Sequence, residues 1–159
     1  MREILKLLEN DARYSARQLA AMTGEKQADV EKFLADAETD GTILGYSAII
    51  DWDKTQDETA SALIEVKISP QRGDGFNRIA ERIYQYDEVE TLYLMSGGYD
   101  LAVFISGRSL KEISQFVYAR LAPIEGVTAT ATHFIMKKYK EKQRVYDKMP
   151  EQEERLLFV

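Results

Sequence analysis

The hydrophobic period of this chain changes near residue 60, and that change limits the fold more than any single motif. Up to residue 40 the apolar residues recur every three to four positions: Ile4, Leu5 and Leu8; Leu19, Ala20 and Met22; Val30, Phe33, Leu34 and Ala37. Each group lays one apolar stripe along a short helix. From residue 60 the period falls to two, with Ala62, Ile64, Val66 and Ile68 on one face of a strand. A helical unit followed by a mixed one is implied, and 159 residues suffice for two small domains.

Turn chemistry sharpens the first part. Asn10-Asp11 breaks the first helix, Ser15 is a good N-cap for the second, and Gly24 stops it. Asp40-Gly41 closes the third. Thr42–Leu44 and Ser47–Ile50 then read as two short strands around Gly45-Tyr46. Three helices and a β-ribbon over residues 1–50 predict a winged helix-turn-helix; a three-helix protein-interaction module would share the periodicity. In the winged arrangement the third helix enters the DNA major groove, and Arg13, Arg17, Lys26, Gln27 and Lys32 are the contacts on offer. Charge opposes this. Residues 1–50 hold six bases and nine acids, net −3, with Asp29, Glu31, Asp36 and Glu38 along the third helix. The whole chain carries −6 with a pI near 5.0, which argues against broad non-specific nucleic-acid binding.

Asp51–Thr59 is polar and reads as a hinge, with Trp52 packing on a domain face. The remainder predicts β-α-β-β-α-β: a strand over 60–69, a turn over 70–75 and a helix through Phe76, Ile79, Ala80 and Ile83. Strands over 89–94 and 101–105 follow. A Ser109-capped helix then carries Leu110, Ile113, Phe116, Val117 and Leu121 up to Pro123, and the last strand runs from Val127 to Lys138. This order is the ferredoxin-like split βαβ unit, an α+β domain expected over 60–140. Helices on one side leave the other sheet face bare, and a second copy of the chain is its simplest cover, so a homodimer is expected. Residues 141–159 read as a tail. Its basic part continues Lys137 and Lys138, and Leu156, Leu157 and Phe158 are candidates to dock on a neighbour.

Between two strands lies Met95-Ser96-Gly97-Gly98-Tyr99-Asp100. A glycine pair before Tyr-Asp is a turn that gathers backbone N–H groups and one carboxylate. Such a turn can hold a zwitterion, amides to its carboxylate and aspartate to its ammonium; it can equally be a turn and nothing more. The composition excludes other chemistry. Without cysteine there is no thiolate site or disulfide, and a single histidine, His133, makes metal or triad catalysis unlikely, so neither an enzyme, a metal nor a cofactor is expected. No run approaches the roughly 20 apolar residues of a membrane span, and the N-terminus lacks a signal peptide, which fits a cytoplasmic protein.

Taken together, these segments resemble the Lrp/AsnC (feast/famine) family of transcription regulators over residues 2–140. Asn10–Ser15 with Leu19-Ala20 resembles the family's first two helices, Asp40–Ala48 its glycine-tyrosine wing, Ser96–Asp100 its effector turn, and Gly126-Val127 with Thr130 and Thr132 its closing segment. The resemblance implies a sequence-specific DNA-binding regulator. It implies dimers through the C-terminal sheets, often gathered into octamers, and an amino-acid effector between dimers. The effector would lie against Met95–Asp100, with Thr130 and Thr132 lining the cleft. The third helix departs from the family in lacking arginines. That leaves an alternative: an effector-binding oligomer whose degenerate winged domain works through a protein partner.

Overall fold

The computed structural model describes residues 1–57, 59–69 and 75–146. The chain divides into two compact units, the first Met1–Ile49 and the second beginning at Ile50.

The first unit holds three helices, α1 (Arg2–Asn10), α2 (Ala16–Thr23) and α3 (Gln27–Thr39). Ser15 opens α2 with a capping box: its hydroxyl accepts from Gln18 N, and the Gln18 side chain accepts from Ser15 N. Gly24 ends α2 at φ 74°, the left-handed stop that glycine allows. Ile4, Leu19, Ala20 and Val30 form the core, with Leu7, Leu8, Tyr14, Phe33 and Leu34 against them. Met22 is half exposed and lies off this stripe, unlike the sequence expectation.

The expected wing strands are not formed. Residues 42–50 have no strand pairing among the described residues, and Leu44 is 96% exposed. A two-stranded ribbon alone is marginal in water, and this unit offers no sheet for it to join. The segment is instead tied to α3: Ile43 N donates to Ala37 O (2.9 Å), and the Tyr46 hydroxyl donates to Glu38 Oε1 (2.9 Å).

The second unit is built on a four-stranded antiparallel sheet, ordered β2-β3-β1-β4, from β1 (Ala60–Ile68), β2 (Val89–Leu94), β3 (Leu101–Gly107) and β4 (Val127–Phe134). Two helices cover one face: α4 (Gly75–Tyr84), and α5 (Leu110–Phe116) continuing into a π-helical turn at Val117–Leu121. With the first unit this is the expected α+β class, a helical unit followed by a ferredoxin-like one. Ala62, Ile64, Val66 and Ile68 face the helices beside Leu101, Val103 and Ile105 and meet Ile79, Ile83, Ile113, Phe116 and Leu121. The π turn corrects the expected stripe. Its wider i+5 spacing, closed by Ala122 N to Val117 O (2.8 Å), lets Phe116, Val117 and Leu121 all face inward, while Leu110 stays half exposed. The turn expected over 70–75 falls largely outside the described residues.

Among the described residues the opposite sheet face is mostly half-buried or exposed. Leu63 pairs with Phe104 and His133, and Glu65 with Ala102 and Ala131, so these residues share that face, where Tyr93 meets Phe104 edge-on at 6.3 Å. His133 Nε2 lies 3.4 Å from Glu65 Oε1 there.

β4 stops at Phe134 rather than Lys138. Its last rung, Ile135 N to Ser61 O (2.8 Å), falls where β1 itself begins. Part of the expected tail is also structured, as a small hairpin of β5 (Lys140–Glu141) and β6 (Arg144–Val145). The apolar cluster at 156–158 lies outside the described residues. Among the described residues no helix is long and apolar enough to cross a membrane.

Candidate effector and DNA-binding sites

The segment from Met95 to Asp100 closes on itself through Met95 N to Asp100 O (2.8 Å). It is then pinned to the sheet from the Asp100 side. Asp100 N donates to Val66 O (3.0 Å), and Asp100 Oδ2 accepts from Ile68 N (2.8 Å). The second bond has a local cause. Ile68 N points to the β3 side of β1, the side from which Asp100 N reaches Val66 O; β3 begins only at Leu101, opposite Val66, so the ladder ends before Ile68 and the carboxylate serves its amide. Asp100 Oδ1 has no partner among the described residues. Neither do the amides of residues 96–99, and residues 96–98 are exposed. Among the described residues the turn thus leaves the amides of 96–99 and one carboxylate oxygen of Asp100 without a hydrogen-bond partner.

Gly97 and Gly98 are not required by the turn itself. Neither lies at positive φ, and a Cβ at either would meet nothing within 4 Å. Gly126 is the contrast: it sits at φ 93°, where a Cβ would be 2.6 Å from Ile79 Cδ1.

Thr130 and Thr132 pair with Val66 and Ile64, so they point to the helix-covered side at the β4 edge. Thr130 shares a cross-sheet row with Val66, Leu101 and Leu94 but lies two strands from Leu101, about 10 Å at ordinary strand spacing. One chain thus does not bring the threonines against the turn. Two features of this neighbourhood escaped the sequence reading. One is the Ile68 amide as the anchor of Asp100. The other is an apolar groove of about 290 Å³ between α4 and β2, lined by Phe76, Asn77, Ala80, Tyr84, Leu92, Leu94 and Leu101. Leu94 and Leu101 flank the turn directly, and the switch from strand to turn at Met95 was the available signal.

In the first unit, Arg13 is held by Asp11 through two contacts, Nε to Oδ1 (3.0 Å) and Nη2 to Oδ2 (2.9 Å). That bond, and then the charge of Asp11, raise the arginine pKa above its ordinary value. The Gln27 amide donates to Glu31 Oε1 (2.7 Å). Arg17, Lys26 and Lys32 have no ion pair among the described residues. Nor does any group of three or more acidic or histidine side chains stand ready to hold a metal among them.

Comparison with known proteins follows this layout. Residues 61–145 match the family described as Lrp/AsnC ligand binding domain. The Bacillus subtilis (strain 168) protein YugG, an uncharacterized HTH-type transcriptional regulator, is 42% identical over 146 residues, covering 91% of this chain and 88% of that protein. The solved structure of Mycobacterium tuberculosis leucine response regulatory protein, LrpA, matches with a TM-score of 0.73 at 19% identity, over 91% of this chain and 95% of that one. The complex of transcriptional regulator NMB0573 with L-Met, from Neisseria meningitidis, matches with a TM-score of 0.69 at 21% identity, over 87% and 88%. At these identities the two structures show a shared fold.

Proposed function

This chain belongs to the Lrp/AsnC family of HTH-type transcriptional regulators and carries its ligand-binding domain, and on that premise we propose that an amino acid bound at the Met95–Asp100 turn controls how the first unit engages DNA. The glycine pair carries this reading. The fold's own demands do not explain Gly97 and Gly98, since their φ angles and surroundings would admit a side chain. Close approach of a ligand to the backbone does explain them. The free amides of 96–99 suit its carboxylate, and Asp100 Oδ1 suits its ammonium. The groove beginning at Leu94 and Leu101 suits an apolar side chain, and the L-Met bound by the Neisseria relative is of that kind.

The sheet face opposite the helices, with Leu63, Phe104 and Tyr93, supports a homodimer formed face to face, a step toward an octamer in which Thr130 and Thr132 reach a neighbour's turn. DNA engagement through Arg17, Lys26 and Lys32 places the protein's work in the cytoplasm. Its homologues are regulators, and catalysis is not part of the proposal.

Fluorescence anisotropy with a duplex from the protein's own upstream region tests this. Binding at about 50 mM salt should weaken steeply as salt rises. One L-amino acid of the twenty should shift the affinity about 5–150-fold, the usual range of such coupling. Absence of a complex at low salt overturns the DNA half; twenty amino acids without effect on melting or affinity overturn the effector half. Light scattering that gives a monomer overturns the dimer.

A further inference from the structure

The cations expected of a DNA-binding protein are scarce in the helical unit and concentrated elsewhere. Residues 1–50 carry net −3, whereas residues 137–146 hold five bases (Lys137, Lys138, Lys140, Lys142 and Arg144) against one acid, Glu141. These ten residues are ordered. Lys140 pairs with Val145 and Glu141 with Arg144 across the hairpin, and Tyr146 N donates to Tyr139 O (3.0 Å). One face of the hairpin is anchored. Glu141 accepts from the Tyr146 hydroxyl, and Tyr146 joins Trp52, Ile50 and Lys138 in lining a cavity of about 110 Å³. The other face and the tip are not anchored. Lys140 and Lys142 are exposed, and neither has an ion pair among the described residues.

The tip has an unusual composition. Its two turn residues, Lys142 (φ 41°) and Gln143 (φ 68°), are both in the left-handed region, where Asn-Gly would sit without strain. A lysine held there against its backbone preference points to a use for its charge. The hairpin also stands at the entry of the chain into this unit, because Ile50 to Asp53 share its cavity.

We propose that the β5–β6 hairpin is a second DNA contact, in which Lys140 and Lys142 bind the phosphate backbone of the duplex and offset the acidic third helix. Resting on the DNA-binding reading above, it adds affinity and salt dependence without reading sequence. The deciding experiment compares wild type with K140Q/K142Q and with R82Q/K111Q, a control of equal charge change on the exposed helix surface. Anisotropy is measured with the same duplex between about 50 and 200 mM salt. The hairpin variant should bind about tenfold or more weakly near 0.1 M salt. Its slope of log K against log salt should become shallower by about 0.9 for each phosphate that a protomer no longer neutralises. The control should follow wild type, and all three should melt alike. A hairpin variant with an unchanged slope, or a control that weakens as much, overturns the proposal while leaving the DNA reading intact. A wild type that binds no duplex overturns both.

Discussion

Asp100 serves the fold and, in the proposed function, the ligand, and two substitutions separate these roles. Asp100→Ala removes the acceptor of the Ile68 amide, which lies past the Val66–Leu101 pair where the β1–β3 ladder ends. A hydrogen bond to a charged acceptor contributes about 1.5–3 kcal/mol, and partial exposure here lowers the expected loss to about 1–2 kcal/mol. For a chain of this size that is a fall in melting temperature of about 2–8 °C. Asp100→Asn keeps a carbonyl oxygen for Ile68 and should cost less than about 1 kcal/mol. It removes the negative charge, however, and with it the partner proposed for the ammonium. Loss of one charge-assisted bond of about 1.5–3 kcal/mol weakens binding about 10–150-fold. Thermal melts without ligand rank stability, and calorimetry with the amino acid that shifts wild-type melting ranks affinity. An Asn variant that binds as tightly as wild type refutes the ammonium role. An Ala variant that melts with wild type refutes the claim that the carboxylate supports Ile68.

Other positions give sharper contrasts. Gly126→Ala should lose about 1–3 kcal/mol in urea unfolding, because φ 93° is unfavourable to alanine and its Cβ would press on Ile79; Gly97→Ala, with open space around it, should stay within about 0.5 kcal/mol yet weaken the effector. Ser15→Ala loses both halves of the capping box and should cost about 0.5–2 kcal/mol, read as a lower midpoint of the first unit's unfolding. The hydrogen bond to Glu141, then burial, push the Tyr146 phenol up to about 12. A raised phenol pKa means that the fold favours the protonated form. Its contribution is therefore complete below about pH 10 and is lost as pH rises through about 12. Phenolate absorbance of wild type minus Tyr146→Phe should show that late titration; a difference curve centred near 10 would contradict it.

The elements that the sequence predicted well are those whose side chains repeat with the backbone. The alternation Ala62, Ile64, Val66, Ile68 identifies β1 and its buried face, and the Val30, Phe33, Leu34, Ala37 spacing identifies α3. Ser15 and Gly24 mark the ends of α2 through local chemistry alone. Failures occur where a residue's fate depends on what is beside it in space. Thr42–Leu44 and Ser47–Ile50 have strand composition but no sheet to join in their own unit. Leu110 fits a 3.6-residue stripe, yet it is the first residue of its helix and stays half exposed, while the π turn after Phe116 changes the facing of the residues that follow.

The two parts of the candidate site differ in the same way. Gly97, Gly98 and Asp100 are legible because turns and carboxylates announce themselves in the letters. The bond that fixes Asp100 is not, because its donor is a main-chain amide 32 residues away, left over where β1 runs past the start of β3. A side-chain pattern does not encode which backbone group a ladder leaves over. The hairpin at 140–145 was hidden for a related reason. Lys-Gln is a poor advertisement for a left-handed turn, and charge on a short amphipathic ribbon has the composition of a solvated tail. Its order comes from Tyr146 against Glu141 and the wall near Trp52, which brings together segments about ninety residues apart in the chain. If the hairpin binds DNA as proposed, the charge balance of residues 1–50 is a poor guide to DNA affinity on its own, because five cations sit on a distant segment, 137–146, whose ends line a cavity with the chain's entry into the second unit.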